Sequence, residues 1–235
     1  MIIINGNVIA GNNVVSVNGR ILNDQNTANT KKIDERKSTT SLNVEKITID
    51  SEFANINISS CNSSDIEAHL YGETISGVNV DFNMEVQNHE LIISVNLTDN
   101  CYTGNLTLDI SIPSKTFKSI VVETISTNIT LSKNILTEYL KLSTQAGNII
   151  TYATFSTCSI SAISGNIELC INATKDISVD ISAICGNVSA KFNNISKINI
   201  STTSICGNTR NHHKRQTGYT ANGNISTTSS NITIE

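Results

Sequence analysis

Tryptophan is absent from the 235 residues, proline occurs once, and tyrosine and phenylalanine occur five times each. So few aromatics count against the stacking platforms of a carbohydrate-processing cleft. Helix-favouring runs are scarce, and no stretch reaches the roughly 20 apolar residues that a membrane-spanning helix needs. Met1 to Ile4 is apolar, but Asn5 and Gly6 end that run and no basic segment precedes it, so no signal peptide is read. The net charge is −4, and without a basic excess no nucleic-acid partner is expected. Cys61, Cys101, Cys158, Cys170, Cys185 and Cys206 include no Cys-x-x-Cys pair, the commonest zinc and redox spacing. No metal, cofactor or catalytic residue is expected.

What the chain does contain is one unit, repeated. Ile120-Val122-Thr124-Ser126 leads into Thr127-Asn128-Ile129, and Leu140-Leu142-Thr144-Ala146 into Gly147-Asn148-Ile149. Cys158-Ile160-Ala162-Ser164 leads into Gly165-Asn166-Ile167, and Val179-Ile181-Ala183-Cys185 into Gly186-Asn187-Val188. A fainter copy precedes Gly207-Asn208, and another ends the chain at Ser230-Asn231-Ile232. A period near 20 residues is that of a solenoid of stacked coils. Within each copy the residues alternate, as in a strand with one buried face. Past the Gly-Asn pair the buried parity shifts by one, so each pair reads as a corner between two short strands. Gly and Asn accept positive φ, which is the expected reason for their presence. Stacked Asn side chains are expected to hydrogen-bond from coil to coil.

The run from Leu106 to Val188 resembles the bacterial "putative adhesin" family of domains of unknown function, related to auto-transporter adhesin head domains. The resemblance rests on a strand ending in Pro, Leu108-Asp109-Ile110-Ser111-Ile112-Pro113, followed by the repeated units, and on the opening Ile3-Ile4-Asn5-Gly6-Asn7-Val8 with Gly11-Asn12-Asn13-Val14. It implies an all-β, right-handed, single-stranded parallel β-helix, with envelope association and no catalytic residues to carry over. The lack of a signal peptide or transmembrane helix points instead to an intracellular or virion-associated protein, so the compartment stays open.

In chain order, residues 1–23 read as a small β-meander, because Asn-Gly between apolar runs signals hairpins. Residues 24–43 are polar and mixed in charge, and read as an exposed linker. The solenoid occupies 44–235, with irregular coils and an inserted hairpin in 44–105 and regular coils in 106–208. The hairpin is read from Val80-Phe82-Met84-Val86 and Leu91-Ile93-Val95-Leu97 flanking Gln87 to Glu90. A loop at 209–223 carries Arg210, His212, His213, Lys214 and Arg215, and 224–235 forms a terminal coil. Ending inside a strand, that coil should expose Ile232 and Ile234 at an open edge and make a homo-oligomer.

Three features remain. Ile163, Ile184 and Ile205 lie two residues before Gly in three successive coils, with Ile125 further up; either the corner has already begun to rotate them inward, or they point outward and form an apolar stripe for a protein or envelope partner. Cys185 and Cys206 take the same place in successive coils, roughly 4.8 Å apart, and are expected as buried free thiols. Eleven Asn-x-Ser/Thr sequons, among them Asn57, Asn96, Asn128, Asn187 and Asn231, are explained by corner spelling rather than by glycosylation. The expected function is a non-catalytic, structural or adhesin-like module. A virion or spike component shares its physics, and a carbohydrate-active enzyme of parallel β-helix type is the rival. The rival needs converging carboxylates, yet Glu123, Glu168, Asp176 and Asp180 do not fall at matching positions of neighbouring coils.

Overall fold

Alternating Ile, Val and Leu against Ser, Thr and Asn produce strands throughout the chain. The computed structural model describes residues 3–4, 7–8, 10–11, 14–17, 20–22, 30–75, 77–97, 105–213 and 217–235. Near the start, β1 (Ile3–Ile4) pairs antiparallel with β2 (Asn7–Val8), and β3 (Ala10–Gly11), β4 (Val14–Val17) and β5 (Arg20–Leu22) form a three-stranded antiparallel sheet.

The rest forms two large, mostly parallel sheets. They are built from β6 (Thr30–Thr40), β7 (Lys46–Ser51), β8 (Ala54–Cys61), β9 (Asp65–Ile75), β10 (Val80–Gln87), β11 (Glu90–Leu97) and β12 (Asn105–Pro113), then from strand pairs. The pairs are β13 (Thr116–Thr124) with β14 (Ile129–Leu131), β15 (Leu136–Ala146) with β16 (Ile149–Thr151), and β17 (Thr157–Ser164) with β18 (Ile167–Asn172). They continue as β19 (Ile177–Cys185) with β20 (Val188–Asn193), β21 (Ile195–Ser204) with β22 (Thr209–Asn211), and β23 (Tyr219–Thr227) with β24 (Ile232–Ile234). Each pair is one rung, with its first strand in one sheet and its second in the other. The nine-stranded sheet runs β10-β11-β7-β13-β15-β17-β19-β23-β21, and the ten-stranded sheet runs β22-β24-β20-β18-β16-β14-β8-β12-β9-β6. No helix occurs among the described residues.

The core lies between the sheets. The rung β17–β18, for example, buries Cys158, Ile160, Ala162, Ile167, Leu169 and Ile171. Each large apolar side chain removed from water contributes about 1.5–3 kcal/mol. Because the registers are parallel and in step, like residues stack: Leu142 on Ile160 on Ile181, and Ile149 on Ile167 on Val188.

Stack order departs from chain order at both ends. At the far end the last rung, β23–β24, lies between β19–β20 and β21–β22. The open edge expected at the chain's end is therefore not there: Ile232 and Ile234 are buried, with strands on both sides. Composition explains the exchange. The inserted rung turns Ala221, Ile225, Ile232 and Ile234 inward, all buried. At the corresponding levels the outermost rung offers Ile198, Thr202, Thr209 and Asn211. An apolar rung gains more from two neighbours, and a polar one suits the end of a solenoid. The expected loop at 209–223 shrinks accordingly. Arg210 is in β22, His213 Nε2 reaches the Ile195 carbonyl at 3.0 Å, and Lys214 and Arg215 lie outside the described residues.

At the near end, β7–β8 is flanked by β13–β14 on one side and by β11 and β12 on the other. Beyond them the stack closes with antiparallel strands: β10 pairs with β11, and β9 with both β12 and β6. Asn88 and His89, at φ 50° and 65°, make the tight β10–β11 turn. The expected linker at 24–43 is corrected here, since Thr30–Thr40 is a strand; residues 24–29 lie outside the described residues. Its alternation is hidden because Ile33 is its one fully buried residue, and its charges suit a sheet edge. Lys115 seals this end by donating from Nζ to the Ser41 carbonyl and, at 2.8 Å, to that of Val44.

Candidate functional site

The corners form one column along the stack. Asn148 N–H donates to Asn128 Oδ1 at 2.8 Å, and Asn166 N–H to Asn148 Oδ1 at 2.9 Å. Asn187 N–H donates to Asn166 Oδ1 at 2.9 Å, Asn231 N–H to Asn187 Oδ1 at 3.1 Å, and Asn208 N–H to Asn231 Oδ1 at 3.0 Å. Asn55 starts the series by accepting from Asn128 N–H at 3.2 Å. Each side chain satisfies a backbone donor that the turn leaves unpaired, a net gain of about 1 kcal/mol per bond. Asn128, Asn187 and Asn231 belong to sequons because the ladder needs Asn there.

Glycine precedes four of these Asn residues, and the positive φ expected from sequence is only part of the reason. Among the described residues, no corner Asn has positive φ; of the corner glycines, Gly165 and Gly186 do and Gly147 and Gly207 do not. All four share a close approach between rungs. A Cβ on Gly147 would lie 2.0 Å from the Thr127 carbonyl oxygen, and one on Gly186 2.0 Å from that of Gly165. Gly165 and Gly207 meet the carbonyls of Gly147 and Ser230 in the same way. The missing side chain lets successive corners stack at strand spacing.

Just before the corner the strand turns outward. Ile163 and Ile184 are 49% and 48% exposed, Ile125 is 41% exposed and Ile205 is 74% exposed. Registry makes Ile163 and Ile184 direct neighbours. Ile125 is separated from Ile163 by Gln145, and Ile205 from Ile184 by Thr228 of the inserted rung. The successive stripe expected from sequence is thus an adjacent pair with two outliers. Column by column, the neighbouring outward position holds Glu123, Ser143, Ser161, Ser182, Ser226 and Thr203, so hydroxyls lie next to the pair, while Lys141 and Asp180 stand one outward position further back.

The same inserted rung corrects the thiols. Ser229 intervenes between Cys185 and Cys206, so they are two spacings apart, roughly 9.5 Å, beyond disulfide reach. Both are exposed rather than buried. Cys158 is the buried one, and its burial pushes the thiol pKa up. Cys101 lies outside the described residues.

The four acidic candidates do not converge. Glu123 pairs with Lys141 Nζ at 2.6 Å, Glu168 accepts from the Tyr152 hydroxyl at 3.3 Å, and Asp176 accepts from Thr220 N–H at 2.8 Å. Asp180 stands on the outward face of the other sheet from Glu168. Burial raises the Asp50 carboxyl pKa, helped by the neighbouring Glu123 charge. What sequence reading missed is a row at the near end, Arg36, His69, Asp109 and Asn57, brought together by four strands. Three of these, Arg36, Asn57 and His69, came from segments read as linker and as irregular coils, so no periodicity announced them.

A family model described as Toastrack DUF4097 matches residues 44–169. No curated protein matches the chain. Among solved structures, a "putative cell adhesion protein" from Clostridium sporogenes is similar at a TM-score of 0.51 and 15% identity, covering 87% of this chain and 99% of its own. A "putative adhesin" from Bacteroides fragilis is similar at a TM-score of 0.52 and 12% identity, covering 87% of this chain and 97% of its own. At such identities the likeness is one of fold.

Proposed function

Because the chain belongs to the Toastrack DUF4097 family, we propose that it is a non-catalytic, adhesin-like β-solenoid presenting a rigid face to a protein or cell-envelope partner. The names of the two structural neighbours agree with this role. We read the winding as a right-handed, single-stranded coil, since the chain alternates between sheets and parallel crossovers are right-handed in nearly all proteins.

One observation carries the reading. Ile163 and Ile184 stand side by side, about half exposed, with the hydroxyls of Ser161 and Ser182 at the neighbouring outward positions. Apolar side chains held out of the core by a rigid corner suit a contact surface. The surface is pre-organised, because ladders on both sides fix the rungs and little ordering entropy is lost on binding.

The test is co-sedimentation of the purified protein with an envelope fraction from cells carrying this chain. Changing Ile163 and Ile184 to Ser should reduce binding about tenfold, equivalent to roughly 1.4 kcal/mol, with the thermal midpoint little changed. Ser161→Lys, on the same face, should weaken binding while leaving the fold intact. The proposal fails if the natural protein does not co-sediment, or if the double variant binds as well as the natural protein.

A further inference from the structure

The near end of the ten-stranded sheet holds a concavity of about 440 Å³ on its outer surface, lined in part by Arg36, Ser38, Glu67, His69, Asp109 and Ser111. That size is within the usual range for small-molecule sites. Registry sets Arg36 opposite His69, His69 opposite Asp109, and Asp109 opposite Asn57, one strand spacing at each step.

Much of this row is already positioned. Asn57 Nδ2 donates to Asp109 Oδ1 at 2.8 Å, and His69 Nε2 lies 2.7 Å from Asp34 Oδ1. The His69 and Tyr71 rings stack with centroids 4.7 Å apart and planes tilted by 34°. Burial raises the Tyr71 phenol pKa, as does its hydrogen bond to Asp109, yet 36% of the residue is exposed. Arg36 has no hydrogen-bond or ion-pair partner among the described residues. Lys37, beside it, is committed elsewhere, since its Nζ donates to the Phe82 carbonyl at 2.7 Å.

The chemistry of the lining selects the ligand. Arg36 offers unused N–H donors, Glu67 and Asp109 offer acceptor lone pairs, and Ser38 and Ser111 can do either. One free cation beside two carboxylates disfavours a polyanion. An apolar ligand would strand these polar groups without partners, at a cost per buried group. A ligand dense in hydroxyls and without charge satisfies donors and acceptors together, and its C–H face can lie on the lining His69 ring and extend to Tyr71, which packs against His69 beside the concavity.

We propose that this concavity binds a neutral saccharide. It lies on the opposite sheet from Ile163 and Ile184, so the two surfaces can be tested separately.

The experiment is ligand-observed saturation-transfer NMR on the full chain, with maltotetraose, cellotetraose and mannotetraose as neutral probes and a heparin hexasaccharide as the anionic control. At least one neutral probe should bind with a Kd on the order of 1 mM, the affinity of a shallow site. Tyr71→Ala should weaken that binding about tenfold, Tyr71→Phe should retain most of it, and Arg36→Ala should weaken it severalfold. The Ile163 and Ile184 double Ser variant should bind the saccharide unchanged, which separates this result from the envelope test. Melting curves keep a folding defect from passing for a binding loss. The proposal is overturned if no neutral probe binds, if binding survives both Tyr71→Ala and Arg36→Ala, or if only the anionic probe binds and added salt abolishes it.

Discussion

Between β13 and β20 the chain climbs one rung at a time, whereas at both ends it overshoots and returns to fill a gap. The middle rungs are nearly interchangeable: each has apolar inward positions, a small residue before the corner and Asn after it. The ends are not. The far end places a polar rung, β21–β22, outside an apolar one made later in the chain. The near end puts antiparallel strands and the charged β6 outside the first coil. Repetition builds a rung, but the inward composition of each rung decides where in the stack it belongs.

The sharpest way to separate the two regions is at glycine. Gly186 is at φ 144°, and any Cβ there meets the Gly165 carbonyl at 2.0 Å with rungs on both sides. Gly186→Ala should therefore cost about 3 kcal/mol or more by chemical denaturation. Gly207 meets the Ser230 carbonyl just as closely, but its rung is outermost and can lift away. Gly207→Ala should cost about 1 kcal/mol. Equal losses would break the distinction between interior and end.

A smaller contrast concerns isoleucine. Ile232 is fully buried in the inserted rung, whereas Ile200 is only partly buried in the outer one. Ile232→Ala should cost about 2–4 kcal/mol and Ile200→Ala less than half as much. If the chain's last strand were the edge, the order would reverse.

The smallest expected effect lies in the ladder. Asn187→Ala strips the acceptor from Asn231 N–H and should cost about 1 kcal/mol. Asn208→Ala keeps the bond that Asn208 N–H gives to Asn231 and should stay within about 0.5 kcal/mol. A loss at Asn208 as large as at Asn187 would mean that another rung stacks beyond it.

Much of the middle was legible because strand alternation and a period near 20 residues are local. Ile149, Ile167 and Val188 could be placed inward from parity alone, and the coil-to-coil role of Asn128 through Asn231 followed from their spacing. Stack order was not legible, because it depends on a competition between rungs distant in sequence. That one gap led to exposed Ile232 and Ile234, and to Cys185 and Cys206 as neighbours. The role of glycine was half visible: residue type pointed to the corner, but the carbonyl it must clear belongs to another coil. The Arg36–His69–Asp109 row was hidden for a similar reason. Its members are 33 and 40 residues apart, and only antiparallel pairing across β6, β9 and β12 aligns them.

Backbone nuclear Overhauser contacts test the inverted order at the far end of the stack directly. Ser229 N–H bonds to the Ile184 carbonyl at 2.9 Å, and Cys206 N–H to the Thr228 carbonyl at 2.8 Å. Amide contacts should link Ser229 to Ile184 and Cys206 to Thr228, with none joining Cys206 to Ile184. A direct contact between Cys206 and Ile184, with Thr228 and Ser229 lying outside both, would contradict that order.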